Sequence, residues 1–328
     1  MMIKAKSWQR WGKGVLLLLM LLACMRPEKP WPRPAGTDMA TLVADLGTEY
    51  DTIAFLSLSQ GLVHKVLRTA WDLEIHSTSS GYQVWTNAAM YAFAAELDSS
   101  SWASATDPAQ ISGWQCDLPD RAALPPLSYG ESLTIVLDRD RGGLFYTSPT
   151  QRYQKILLKA APEGIEVRSY TMSGTPLGEW SLSRTPQPQY IFLDKPGQTI
   201  PILPPWEVEL ILTRYVHYYP DQPEQFRYYP VVGALLPMGR RAAVVSASEI
   251  SFEDFTYASL SQVQWTTRRD AIGYDWKQYN FDTGTYVIDF SQYYLLEVGL
   301  EAYYKMQFVD FYDEAGRKGS VKLRYSGL

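Results

Sequence analysis

The stretch Tyr303-Tyr304-Lys305-Met306-Gln307-Phe308-Val309-Asp310-Phe311-Tyr312 decides the fold class, together with Ser320-Val321-Lys322-Leu323-Arg324-Tyr325 after it. Polar and apolar residues alternate with period two in both, the signature of strands with one buried face. Between them stands Asp313-Glu314-Ala315-Gly316-Arg317-Lys318-Gly319, whose glycines supply the positive φ of a turn. The segment reads as an antiparallel hairpin. A second hairpin is expected upstream, Ser132–Leu137 with Leu144–Thr147 around Asp138-Arg139-Asp140-Arg141-Gly142-Gly143. Asp138 and Asp140 hint at a calcium loop, but the interleaved arginines and the missing third carboxylate argue against one. Twenty-three tyrosines and eleven tryptophans suit pleated, half-buried surfaces. Helical stripes are scarce, with room for a short helix or two near residues 88 to 96. The chain reads as all-β.

At the start, Lys4, Lys6, Arg10 and Lys13 precede an apolar run from Val15 to Ala23, the order of a secretion signal. As a helix the run spans about 14 Å, too short for a hydrocarbon core of about 30 Å. It closes as Leu21-Leu22-Ala23-Cys24, a lipobox: the peptidase needs a small residue at the cut and a thiol carrying diacylglycerol. Residues 1–23 are therefore expected to leave, and Cys24 to become the acylated anchor in a lipid bilayer. Met25 follows Cys24, not an Asp that would favour inner-membrane retention, so outer-membrane sorting is expected. The mixed run Met25-Arg26-Pro27-Glu28-Lys29 leaves the leaflet open. Four basic residues and no acidic one depart with the signal, taking the formal charge from -5 to -9. So acidic a domain, without a Lys/Arg cluster, should not seek nucleic acid. Pro27, Pro30, Pro32 and Pro34 mark an extended stalk within residues 24–44. With Cys24 lipidated, Cys116 has no disulfide partner and reads as a small buried hydrophobe.

An internal repeat organises the rest. One copy runs from Phe55 to Gly61 and then Trp71-Asp72-Leu73-Glu74-Ile75; the other from Tyr190 to Gly197 and then Trp206-Glu207-Val208-Glu209-Leu210. In each, a strand ends in a glycine turn and a second strand opens with Trp and an acid. The length suits two cores. Two sandwich-like β domains are expected, residues 45–183 and 184–328.

These residues resemble the HmuY-like lipoproteins of Gram-negative anaerobes. The likeness is carried by Trp71-Asp72-Leu73-Glu74-Ile75-His76 followed by Thr86-Asn87. It is stronger in Gly273-Tyr274-Asp275-Trp276-Lys277, Tyr286-Val287-Ile288, Tyr304–Tyr312 and Gly316-Arg317-Lys318-Gly319. The resemblance implies a β-rich protein that holds haem between two axial His or Met side chains on β-fingers and passes it to an outer-membrane receptor for iron acquisition. Haem needs such ligands on opposite faces of an apolar slot. The sequence departs from the pattern twice: the family's second ligand position falls on or near Phe281, and the long finger carrying the first is shortened to Asp254–Trp276.

Ligand candidates are few. His64 follows a glycine turn and reads as exposed, and His76 as structural. His217, in Tyr215-Val216-His217-Tyr218-Tyr219, and Met238, in Leu235-Leu236-Pro237-Met238-Gly239, are the expected axial pair if haem binds. Met306 alternates within a strand and reads as core; Met90 and Met172 are the remaining candidates. No enzyme is indicated: nucleophile elbow, metalloprotease helix and phosphate loop are missing, and neighbours such as Glu253 and Asp254 point to opposite faces of a strand. Two binding functions follow from the sequence. One is haem capture by an outer-membrane lipoprotein; the other is a β-scaffold without haem ligands that offers aromatic patches to a protein, glycan or other apolar ligand at the envelope.

Overall fold

A computed structural model describes residues 39–204, 206–299 and 302–328. The signal peptide, Cys24 and most of the expected stalk lie outside them. The first strand, β1 (Ala40–Asp45), begins inside the stretch assigned to the stalk. Every strand pair is antiparallel, and no described helix is long and apolar enough to cross a membrane.

One sheet has the order β1, β21 (Lys318–Gly327), β20 (Ala302–Tyr312), β19 (Gln292–Gly299), β16 (Arg241–Ser246). Its inner face meets a sheet of order β15 (Tyr228–Leu235), β14 (Leu210–Tyr218), β2 (Thr52–Ser57), β3 (Leu62–Leu67). The core between them is centred on Trp276, 1% exposed and stacked on Phe308 at 4.1 Å between ring centroids. The expected C-terminal hairpin is β20–β21. Asp313 Oδ1 accepts from the backbone N–H of Ala315 and Arg317 at 2.9 and 2.8 Å, and Gly316 takes φ +75°.

A second sandwich pairs the sheet β13 (Thr199–Ile200), β12 (Gln189–Ile191), β4 (Leu73–Ser77), β5 (Gly81–Thr86), β7 (Leu127–Ser128) with the sheet β11 (Pro176–Ser183), β10 (Gly164–Tyr170), β9 (Tyr153–Ala161), β8 (Ser132–Asp138), β6 (Phe93–Glu96). The partner of β8 is β9, not the expected Leu144–Thr147. The reason is electrostatic. Asp138-Arg139-Asp140 is buried, not a turn: Arg139 forks onto Asp72 at 2.7 and 2.8 Å and reaches Asp194 at 2.9 Å, while Arg152 forks onto Asp138. The chain loops outward around these charges, with Leu144 65% exposed, before β9 returns. Near residues 88–96 one turn of 3-10 helix, Ala88–Met90, leads straight into β6.

Strand pairing does not follow the expected division at residues 183 and 184. β12 lies on β4, β14 on β2 and β1 on β21. One core draws on residues 44–58 and 210–325, the other on residues 73–193. The repeat explains the exchange: the first strand of each copy pairs with the strand that follows Trp in the other. The turn glycines match, Gly61 at φ +66° and Gly197 at +74°. The copies differ after Trp206, where residues 206–209 form no strand; Glu209 is buried and accepts from the N–H of Leu58 and Ser59.

Candidate ligand-binding site

Along β14, Tyr215, His217 and, just beyond, Tyr219 fall on one side by the period of a strand. Tyr215 is buried and its two successors half-buried. Across the pair, His217 faces Tyr229, which is exposed. The His217 ring meets Tyr219 at 4.5 Å and Tyr274 at 5.3 Å, both edge-on, and the Tyr219 and Tyr274 hydroxyls share a 2.7 Å hydrogen bond. Burial, followed by that bond, pushes the Tyr274 phenol well above its ordinary range. It stands by the imidazole as a neutral phenol, not a phenolate ligand.

Beside this cluster projects a two-stranded finger, β17 (Lys277–Asn280) and β18 (Thr285–Ile288). Asn280 Oδ1 accepts from the N–H of Asp282 and Thr283 and Gly284 takes φ +69°, which closes the turn at the tip. Phe281 at the tip is 87% exposed, edge-on to Tyr279 at 5.1 Å. Tyr279, Val287 and Phe290 are exposed as well. The base is fixed: the Tyr286 ring lies on Phe311 at 5.1 Å, its N–H donates to the Tyr312 hydroxyl, and Lys277 Nζ donates to the Val232 carbonyl. Burial depresses the Lys277 amine to about 7, against the pull of Asp275. The Tyr286 phenol is pushed up by burial first and then by Tyr229, Tyr279 and Tyr312, and its ring meets that of Tyr279 edge-on at 5.1 Å. Exposed rings on a rigid support form a contact surface that the fold itself does not require.

The structure separates the expected axial pair. His217 faces Tyr229, whereas Met238 lies beyond Leu235, which faces Ile211. Six residues of strand at about 3.3 Å each put their levels about 20 Å apart. Axial ligands of one iron stand on the order of 4 Å apart, two bonds of about 2 Å, so His217 and Met238 do not clamp one haem. Met238 lies instead on an open cleft of about 1160 Å³ with Trp206 and Arg240. His64 is half-buried, not exposed, with Nε2 enclosed and without a hydrogen-bond partner among the described residues. His76 bonds Glu74 at 2.6 Å; Met90 and Met306 are buried, and Met172 sits in the turn after β10. Phe281 offers no ligand atom. The Asp254–Trp276 span is no free finger over its first turn: Phe255 packs on Tyr293, and Lys305 Nζ donates to the Phe255 carbonyl at 2.9 Å. Among the described residues no three His, Cys, Asp or Glu side chains gather for a metal ion.

The family model for the HmuY protein matches residues 49–325. The chain belongs to the HmuY family. Two solved structures resemble this HmuY-family chain: apo PinO from Porphyromonas gingivitis, 9% identical at a TM-score of 0.26, and the apo HmuY analog of Tannerella forsythia, 8% identical at 0.25. Each comparison covers 89% of this chain and 98% of the other. No curated protein matches the sequence. The sequence alone missed the Tyr219–Tyr274 pair, whose members lie 55 residues apart and meet only through the pairing of β14 and the loop before β17. Exposed Phe281 was legible only as a departure from the HmuY pattern.

Proposed function

We propose that this protein is a lipid-anchored binding protein of the bacterial envelope, not an enzyme, that holds a flat apolar ligand by stacking it against the finger and the tyrosine cluster. The exposure of Phe281 at a position where the HmuY resemblance implies an iron ligand carries the reading. Haem, the ligand that resemblance implies, is bound here through its ring face and not clamped between two axial side chains. Acylated Cys24 holds the protein to the outer membrane, and an outer-membrane haem receptor is the partner in an iron-acquisition role.

The test is a titration of the mature chain with haem and with metal-free protoporphyrin, followed by tryptophan quenching and Soret absorbance. Both porphyrins should saturate with similar affinity, and Phe281→Ala should weaken both roughly tenfold, the worth of much of one buried aromatic side chain. No saturable binding of either would overturn the reading. A low-spin, six-coordinate haem spectrum, with protoporphyrin failing to bind, would restore the two-sided clamp. The imidazole of His217 among three tyrosines favours a second reading, one-sided iron ligation: haem would then outbind protoporphyrin, and His217→Ala would erase the difference while Met238→Ala would not. Protease shaving of intact cells tests the location; full protection would contradict capture at the surface.

A further inference from the structure

Where β8 ends, a cleft of about 580 Å³ opens between the loop of residues 107–114 and the helical turn Pro149–Arg152. It shares no residue with the finger or the tyrosine cluster. Trp114, Ile111, Pro108 and Pro149 supply its apolar walls. The indole is held in place: its Nε1–H donates to the Ile111 carbonyl at 2.9 Å, and its ring meets that of Tyr153 at 57° with the centroids 6.3 Å apart. The charged groups divide unevenly. Buried Asp138 is taken by the Arg152 fork at 2.6 and 2.8 Å, and the Arg152 guanidinium also covers the Tyr153 ring at 4.8 Å. Asp107 caps the 3-10 turn Pro108–Gln110, accepting from the Ala109 N–H at 3.0 Å and from Gln110 Nε2 at 3.2 Å; being exposed, it can accept further hydrogen bonds. Arg141 is left over. Its guanidinium has neither a carboxylate nor a hydrogen-bond acceptor among the described residues, yet its place is fixed. The group lies 4.2 Å above the Phe93 ring, the backbone N–H of Arg141 donates to the Tyr91 carbonyl at 3.2 Å, and its carbonyl accepts from Arg152. Trp114 packs against the cluster that contains Phe93, so the indole and the guanidinium stand on one support.

A cleft with an apolar platform and one positioned, unpaired cation has the make-up of a small-ligand site. We infer that it binds a hexuronic acid, a pyranose that carries a carboxylate on its ring, as a second ligand beside the one on the porphyrin surface. The carboxylate meets the Arg141 fork, in which two N–H groups match two oxygens. The C–H face of the sugar lies on Trp114, and a hydroxyl donates to Asp107. The openness of the cleft selects a sugar over an aromatic acid. Asp107, Ala109, Arg141 and Pro149 are exposed and Trp114 is only half-buried, so one face of a bound ring stays in water. Hydroxyl groups are at home there, whereas a second apolar face is not.

The methyl glycosides of glucuronic, galacturonic and mannuronic acid are titrated into the mature chain at pH 7.5, each beside its neutral hexose counterpart, and followed by saturation-transfer NMR. At least one uronide should saturate, roughly tenfold tighter than its neutral counterpart, the worth of a hydrogen bond to a charged group. R141Q should level that pair while leaving porphyrin binding unchanged, and R141K, which keeps the charge without the fork, should restore only part of the difference. W114A should abolish binding of both sugars. Should W114A fail to fold, A109W at the exposed rim blocks the cleft, with the same loss expected. No saturable binding of any uronide would overturn the inference. So would a uronide preference surviving R141Q, uronide binding unchanged in A109W, or benzoate binding tighter than every uronide, which would assign the cleft to an aromatic acid.

Discussion

Lys277 offers the sharpest test of the finger's foundation. Its stem lies among the rings of Trp276, Tyr286 and Phe311, with Nζ 4.2, 5.6 and 5.0 Å from their centroids. Burial lowers the amine from 10.5 to about 7. At about 1.36 kcal/mol per unit, the shift opposes folding by about 5 kcal/mol wherever both states are protonated, below pH 7. Between 7 and 10.5 the unfolded chain binds the proton and the folded chain releases it, so stability rises with pH through that window. Between pH 7 and pH 9 the gain should be about 2 kcal/mol. Lys277→Met keeps the apolar stem and removes the amine; losing the donor to the Val232 carbonyl costs about 1 kcal/mol. The variant should therefore be more stable than wild type at pH 7 by a few kcal/mol, with the difference shrinking by about 2 kcal/mol at pH 9. Urea unfolding of both proteins at pH 7, 8 and 9 measures this, and groups common to both cancel in the difference. A difference independent of pH, or a Met variant weaker at pH 7, would refute the reasoning.

Asp117 works in the other direction. Its carboxyl is raised from 3.8 to about 7 by burial, against hydrogen bonds from Ala123 and Thr86, so stability should fall as pH rises from 4 to 7, and Asp117→Asn should flatten that slope in the same urea series. Asp72→Ala strands the buried Arg139 guanidinium and should cost about 3–5 kcal/mol; adding Arg139→Met should recover more than half, and a double-mutant cycle showing plain additivity would deny the coupling. The Cys116 thiol, pushed up by burial and then by Asp117, should react with a disulfide reagent at pH 8 only as fast as the chain opens. Phe281→Asp should leave the unfolding free energy from urea titration within about 0.5 kcal/mol of wild type while weakening porphyrin binding, and a large loss of stability would mean the ring is part of the core.

Periodicity reveals a strand wherever one face is apolar and the other is wet. That is why β20 and β21 were legible with their turn, and why Met306 could be placed inside. It fails where charges are buried, because a hydropathy pattern counts Asp and Arg as surface. Asp138-Arg139-Asp140 has the composition of a turn, yet all three side chains are buried: Arg139 is held by Asp72 and Asp194 from distant parts of the chain, Asp138 by Arg152, and Asp140 by the N–H groups of Phe145 and Tyr146. The hairpin was thus cut one element short. Likewise, Trp71-Asp72 could be recognised as a motif without its purpose: Asp72 also accepts from the Leu193 N–H at 2.8 Å, which ties the acid of one repeat copy to the turn after the first strand of the other.

That tie bears on where the ligand surface lies. Copies of a repeat in tandem suggest two independent domains, but a lone hairpin is marginal and exposes two edges. Exchange removes two of them by laying β12 on β4 and β14 on β2. The second pairing is short, covering only Leu210–Leu212 of β14, whereas β15 follows the strand to Tyr218. Beyond Leu212 that edge of β14 has no strand beside it among the described residues, and the Phe93 and Cys116 side chains meet Val216 instead. The aromatic residues His217 and Tyr219 stand at this far end, past the stretch the exchange secures. A ligand surface there can change its side chains without disturbing the pairing that holds the two copies together. The family's fold can therefore persist while the side chains at that end of β14 change, and the proposed ligand is to be sought on the rings there.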